Sequence, residues 1–200
     1  MNASSPQPLV LIVSGPPCTG KTTLARRLAA SFALPLMTKD TIKESLFETL
    51  GTDCRQSASD RAWSKRLGGA SMELLYVYVE SQLAAGRSCV VEGNFIAAFG
   101  TPAFRRLQER YPFLPIQVNC VADPSVLAAR FRERALSGER HPGHHDHLPP
   151  NPQLNRPISG RLEPLDIGGH VIELEMSDFA RLAYDPLCAR IRQLWTLDLG

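Results

Sequence analysis

The stretch Gly15-Pro16-Pro17-Cys18-Thr19-Gly20-Lys21-Thr22 satisfies the pattern G-x-x-x-x-G-K-[ST] without a mismatch. This is the pattern of a loop that cradles phosphate. Phosphate oxygens need several donors converging on one point, and backbone N–H groups supply them only where the chain wraps tightly. Gly15 and Gly20 permit backbone angles and close approaches that a Cβ would block, while a helix starting behind the loop turns its positive end toward the oxygens. Lys21 is then placed to reach the β- and γ-phosphates of a nucleotide, and the Thr22 hydroxyl to hold Mg²⁺. With Pro16, Pro17, Cys18, Thr19 and Thr23, these residues make up the expected ATP site.

Phosphoryl transfer asks further for charge stabilisation and a correctly placed acceptor, with a carboxylate often taking the acceptor's proton. Asp40 is the candidate for that base; its position before Thr41-Ile42-Lys43-Glu44 also reads as a helix N-cap. Glu92 stands where an acid could order Mg²⁺ through water or bind an acceptor hydroxyl, and a structural ion pair is the competing reading. Asn94, two residues on, is assigned with Asp40, Glu92 and Arg140 to the acceptor. Arg130 and Arg134 are four residues apart and so share a helix face, which lets two guanidinium forks converge on one triphosphate. A solvated basic face is the alternative for that pair.

The elements that must position these groups follow from periodicity. Leu9–Val13 is an apolar β-branched run suited to a strand covered on both faces, and Thr22–Ala29 reads as the helix behind the loop. A short strand over Leu34–Thr38 leads to a helix that Gly51 stops, and the polar stretch from Thr52 to about Ser64 is expected as loop or short helices over the site. A helix over Leu67–Ala85, a strand over Ser88–Glu92, a helix near Pro102–Arg110 and a strand over Ile116–Val121 come next. Asp123 and Pro124 then read as N-cap and first position of the helix that carries the arginines. Ser137–Arg161, rich in Pro, Gly and His, is expected as a lid inserted in a single domain, with Arg140 or a histidine touching phosphate. Imidazoles and a carboxylate in Arg140–His147 would also suit a transition metal. A last strand, His170–Leu174, and a helix over about Asp185–Leu197 complete an alternation that implies a mostly parallel sheet with helices on both faces.

Composition narrows the partners. A net charge of +2 gives no sign of a polyanion-binding surface, which disfavours nucleic acid. Five cysteines without a C-x-x-C pair suit reduced thiols, and the basic start of a leader and a bilayer-length apolar run are both missing, so a cytoplasmic protein is expected.

The phosphate loop, Lys39-Asp40, the strand end Val90-Val91-Glu92-Gly93 and the Arg-rich helix leading to Arg140-His141-Pro142-Gly143-His144 together resemble the small P-loop kinases of the AAA_33 or zeta-toxin-like type. These are relatives of chloramphenicol phosphotransferase, gluconate kinase and the 5′-end polynucleotide kinases. The resemblance implies a five-stranded parallel sheet in the order 2-3-1-4-5, ATP with Mg²⁺ as donor, an Asp after the second strand as acceptor base, and a lid contributing arginines. Matched residue by residue, those roles fall on Lys21 and Thr22, on Asp40, and on Arg130 and Arg134. Gly51–Lys65 carries no acceptor signature, and no Asp-Asp-x-x-Arg follows the second strand. The expected reaction is transfer of the γ-phosphate to a hydroxyl of a small molecule: a sugar, nucleoside, nucleotide-sugar or antibiotic. A polynucleotide 5′-kinase and a nucleotide-gated regulatory module with weak ATPase activity are the competing readings.

Overall fold

The computed structural model describes residues 7–51, 60–137, 141–144 and 159–197. Leu9–Ser14 forms the central strand, β1, and every residue of it is buried. Its odd positions Leu9, Leu11 and Val13 pack into one apolar cluster and its even positions Val10 and Ile12 into another. That division is what alternating side chains produce when helices cover both faces of a sheet. Leu36–Thr38 (β2), Cys89–Gly93 (β3), Leu114–Val121 (β4) and His170–Glu175 (β5) join it in parallel, in the order β2-β3-β1-β4-β5.

Six α-helices are present among the described residues: Lys21–Phe32 (α1), Lys39–Leu50 (α2), Asp60–Ala84 (α3), Ala97–Arg110 (α4), Pro124–Ser137 (α5) and Tyr184–Leu197 (α6). Leu24 and Leu28 of α1, Leu127 of α5 and Leu187 and Ile191 of α6 fill the first cluster. Leu75 and Val79 of α3 with Phe104 and Leu107 of α4 fill the second. The result is the three-layer α/β sandwich of a P-loop NTPase, as expected from the sequence.

β2 starts at Leu36 rather than Leu34 and β4 at Leu114 rather than Ile116, and three helix starts differ from the sequence reading for identifiable physical reasons. α2 starts at Lys39, and its N-cap is Thr38, whose hydroxyl accepts from the Thr41 amide at 3.1 Å. Asp40 therefore lies inside the first turn and is not the cap. α3 starts at Asp60 rather than near Leu67, because Trp63 and Leu67, one turn apart, are both buried and extend the apolar stripe into a polar segment. α4 starts at Ala97, so Pro102 sits inside it. The Ile96 carbonyl accepts from both Phe99 and Gly100, at 3.0 and 2.8 Å, which opens the helix ahead of the proline. Of the expected lid, Arg140, His145, Asp146 and His147 lie outside the described residues. No helix among the described residues is long and apolar enough to cross a membrane.

Candidate active site

The sheet brings the chemistry-bearing residues to one level. Val13 pairs with Glu92 across β1 and β3, and Glu92 with Thr38 across β3 and β2. The loop that leaves β1, the acid at the end of β3 and the first turn of α2 therefore meet beyond the carboxyl ends of the strands, where sheets of this kind bind ligands.

The loop is wrapped as its sequence requires. Gly15 has φ +155°, and a Cβ there would lie 2.6 Å from the Cys120 carbonyl oxygen. Gly20 has φ +81°, and its Cβ would meet the Phe179 ring at 2.6 Å. Cys18 takes a left-handed φ of 65° without being glycine, a conformation that costs about 1–2 kcal/mol. Thr19 points inward, fully buried, and its hydroxyl donates to the Pro16 carbonyl at 3.0 Å, which closes the loop on itself.

Glu92 is only 2% exposed. The Thr22 hydroxyl donates to its Oε2 at 3.1 Å, and Lys21 Nζ stands 3.7 Å from its Oε1. Lys21 also donates to the Pro16 carbonyl at 3.4 Å. Burial pushes the Glu92 carboxyl above its ordinary value near 4.5; Lys21 pulls it back, Asp40 adds to the rise, and the Thr22 hydroxyl and Lys39 oppose it. A hydroxyl held against a carboxylate is the hard-oxygen donor set that suits Mg²⁺. Thr22 and Glu92 therefore fit the metal that the loop implies.

The raised carboxyl has a measurable consequence. Between about 4.5 and the raised value, the folded protein binds more protons at Glu92 than the unfolded chain does, so stability falls as pH rises through that window. In the metal- and nucleotide-free protein, Glu92→Gln is expected to raise Tm at pH values above the window and to confer no advantage near pH 4.5. A pH series of thermal melts in chelator checks this. An E92Q protein that melts below wild type at neutral pH would show that Lys21 outweighs the burial.

The cavity over the loop has a volume of about 470 Å³. Pro17, Cys18, Gly20, Lys21, Thr22 and Thr23 line one side. Asp40 and Asn94 face it from α2 and from the chain beyond β3, and Arg130 and Arg134 from α5. Gly15, Pro16, Thr19 and Glu92 support the cavity without lining it. The sequence-predicted groups thus converge, apart from Arg140, which lies outside the described residues. Arg130 is firmly held: its guanidinium donates to the Met176 and Ser177 carbonyls at 2.9 and 2.7 Å and stacks on Phe179 at 3.9 Å.

Of the other lining residues, Lys39 and His144 lie in segments the sequence reading singled out without giving either a role by number, and Lys43 and Phe179 escaped it. Lys39 donates to the Asn94 side chain at 3.0 Å and Lys43 to the Ser64 hydroxyl at 2.8 Å. The short 3-10 turn Pro142–His144 docks on α2, with His144 Nε2 at 2.8 Å from a Glu44 carboxylate oxygen and His141 at 3.4 Å from Glu48. The i, i+4 spacing of Lys39 and Lys43 was the available signal for those two. For His144 the signal was the histidine-rich lid, though only the folded chain selects that histidine by bringing the turn to α2; Phe179 had none, because only the fold brings the exit of β5 to Gly20.

Fold and site together define a P-loop nucleotide-binding protein of the small-kinase type. The AAA_33 family (AAA domain) matches residues 10–147, and the chain belongs to that family. It is 31% identical to a candidate kinase from Chloroflexus aurantiacus, with a TM-score of 0.84 over 98% of this chain and 100% of that one. It shares its fold with a sugar kinase from a Janibacter species, at 18% identity and a TM-score of 0.56 over 98% of this chain and 96% of that one. It likewise shares it with Chaetomium thermophilum Kti12, solved with ADP-AlF3, at 16% identity and a TM-score of 0.59 over 92% and 98%. No curated protein matches the chain in sequence.

Proposed function

We propose that the protein is an ATP-dependent phosphotransferase that moves the γ-phosphate of MgATP to a hydroxyl of a small molecule. The observation that carries this reading is that Asp40 lines the same cavity as Lys21 and Thr22 of the phosphate loop. A nucleotide-binding module needs the loop alone; a carboxylate in the same cavity is what an acceptor hydroxyl requires.

In this reading the loop amides and Lys21 hold the β- and γ-phosphates, and Thr22 with Glu92 would hold Mg²⁺, which would supply neutralisation of developing phosphate charge. Phe179, beside Gly20, offers an aromatic ring for the nucleotide base. Asp40 orients the acceptor hydroxyl. The acceptor oxygen forms a bond to the γ-phosphorus as the bond from that phosphorus to the β,γ-bridging oxygen breaks. ADP leaves with that oxygen, and the hydroxyl proton passes to the Asp40 carboxylate and then to solvent. Lys21 and Arg134 oppose the charge that spreads over the moving group, and Arg130 adds its field from its anchored position. Residues 1–200 act as one domain, and 137–161 as the lid.

The test is ADP release from MgATP by the purified protein against pooled sugars, nucleosides, nucleotide-sugars, aminoglycosides, chloramphenicol-like compounds and 5′-hydroxyl oligonucleotides. Acceptor-dependent release is expected from a small-molecule pool. Tight ATP binding with no pool above background would overturn the reading in favour of a nucleotide-gated module.

A further inference from the structure

A second cavity, of about 470 Å³, lies between α3 and α4, and Asn94 lines both it and the cavity over the loop. The two spaces therefore adjoin just past the end of β3. Lys39 can only donate, so the Asn94 oxygen faces Lys39 and the amide nitrogen, a donor, faces away from it. Asn94 thus stands between the cavity that Asp40 lines and a space that phosphoryl transfer itself does not use.

The second cavity has apolar walls with a few polar groups, the usual make-up of a small-molecule pocket. Met72 and Tyr76, one turn apart on α3, reach it with Glu73, and Ile96, Phe99 and Arg106 reach it from α4 and its N-cap. The Tyr76 ring is fixed edge-on against the fully buried Phe104, with centroids 5.6 Å apart. Burial pushes the Tyr76 hydroxyl up to about 12, with Glu73 adding to the rise and Arg106 opposing it, so it keeps its proton and remains a donor. Two features of the wall fit a ligand better than they fit the protein alone. Phe99 is 73% exposed and Ile96 50%, large apolar side chains held in water at the edge of the cavity. Gly69 weakens the interior of α3, yet a Cβ there would meet nothing within 4 Å among the described residues. What the glycine provides is room in the cavity.

We propose that the acceptor carries an aromatic ring, and that this ring occupies the cavity between α3 and α4 while the hydroxyl to be phosphorylated lies with Asp40 on the other side of Asn94. The proposal rests on the phosphotransferase reading and deepens it by naming the class of acceptor: a ring-bearing alcohol rather than a simple polyol. A polyol would give Ile96 and Phe99 no apolar surface to cover. A nucleobase and a benzene-type ring share the flat apolar faces that these walls suit, and the acceptor sets below separate the two.

The test uses the full chain with MgATP and alcohols in matched sets, with and without a ring: glucose and phenyl glucoside; ribose, uridine and adenosine; serinol and chloramphenicol. Ring-bearing members are expected to show a kcat/KM at least about tenfold above their ring-free counterparts, and the set that responds tells a nucleobase from a benzene-type ring. Phe99→Ala, at an exposed position, and Gly69→Leu, which fills the space with a better helix residue, are each expected to raise the KM of the responding acceptor about tenfold. The KM for ATP is expected to stay within about twofold in both. Ring-free members turned over as well as ring-bearing ones, or a KM that neither variant moves, would overturn the proposal and leave the kinase reading standing. So would a dimer that F99A splits with no preference for rings, which would give this face to a second copy of the chain. A second measurement needs no turnover. Protein saturated with a non-hydrolysable MgATP analogue, which keeps the probes out of the nucleotide site, is titrated calorimetrically with phenyl glucoside, uridine and chloramphenicol. Binding in wild type that G69L weakens supports the ring site even if no acceptor reacts, in which case the kinase reading falls alone. Binding of none of the three, or binding that G69L leaves unchanged, overturns the proposal.

Discussion

Lys21→Met is expected to lower kcat/KM for ATP by about 10³-fold or more, and to lower stability as well. The catalytic loss follows from removing the cation nearest the transferred group in a site where field is exerted by fixed charges; deleting one such donor or cation commonly costs two to five orders of magnitude. The stability loss has a separate origin. Glu92 is 2% exposed, and Lys21, 3.7 Å away, is the strongest influence holding its carboxyl down against burial. Without that ammonium group the carboxyl rises further, and a buried charge stripped of its partner is destabilising. The two effects are separable by a double variant. K21M/E92Q is expected to recover the melting temperature that K21M loses while recovering none of the activity. If the double variant regains activity, Lys21 acts by balancing Glu92 rather than on phosphate.

The parts of the molecule legible in the sequence were those whose signals are local. Leu9–Val13 announced a strand covered on both faces because no polar residue interrupts it, and Gly15 and Gly20 announced a wrapped loop because few other residues take those angles. Asp123 and Pro124 gave away the start of α5, and the Ser125 amide does donate to Asp123 at 2.7 Å. What the sequence concealed was set by distant partners. Thr38 and Asp40 are both residues that cap helices, and the choice fell to Thr38 because pairing with Glu92 across the sheet leaves it at the strand's end in extended geometry. Lys43 looks like any helix lysine until α3 supplies Ser64 and the 3-10 turn supplies Gly143. Phe179 follows a strand whose place at the sheet edge, next to β4, only the topology defines, and its ring over Gly20 is a consequence of that order. The pattern is consistent: backbone demands were written in single residues, while the walls of the acceptor side were written in pairs of residues far apart in the chain.

Asp40→Asn carries the other large effect, and the position of Asp40 within α2 makes its result interpretable. Because Thr38 caps the helix, Asn at position 40 removes no cap. It removes one negative charge from a first turn, worth about 0.3–1 kcal/mol, so the protein is expected to melt within a few degrees of wild type. Turnover is expected to fall about 10²- to 10⁴-fold, the usual contribution of a positioned general base, with the loss in kcat and with ATP affinity unchanged within about threefold. A second readout locates the lost charge independently of turnover. Asp40 is one of the two influences that push the Glu92 carboxyl up, so neutralising it lowers that carboxyl toward its ordinary value near 4.5. The window over which the metal-free protein loses stability with rising pH therefore narrows from its upper end in D40N. A kcat collapse together with a narrowed window places Asp40 beside both the acceptor and the metal-side acid. An unchanged kcat with the same narrowed window would leave Asp40 as a tuning charge on Glu92 and assign the acceptor's proton to another group.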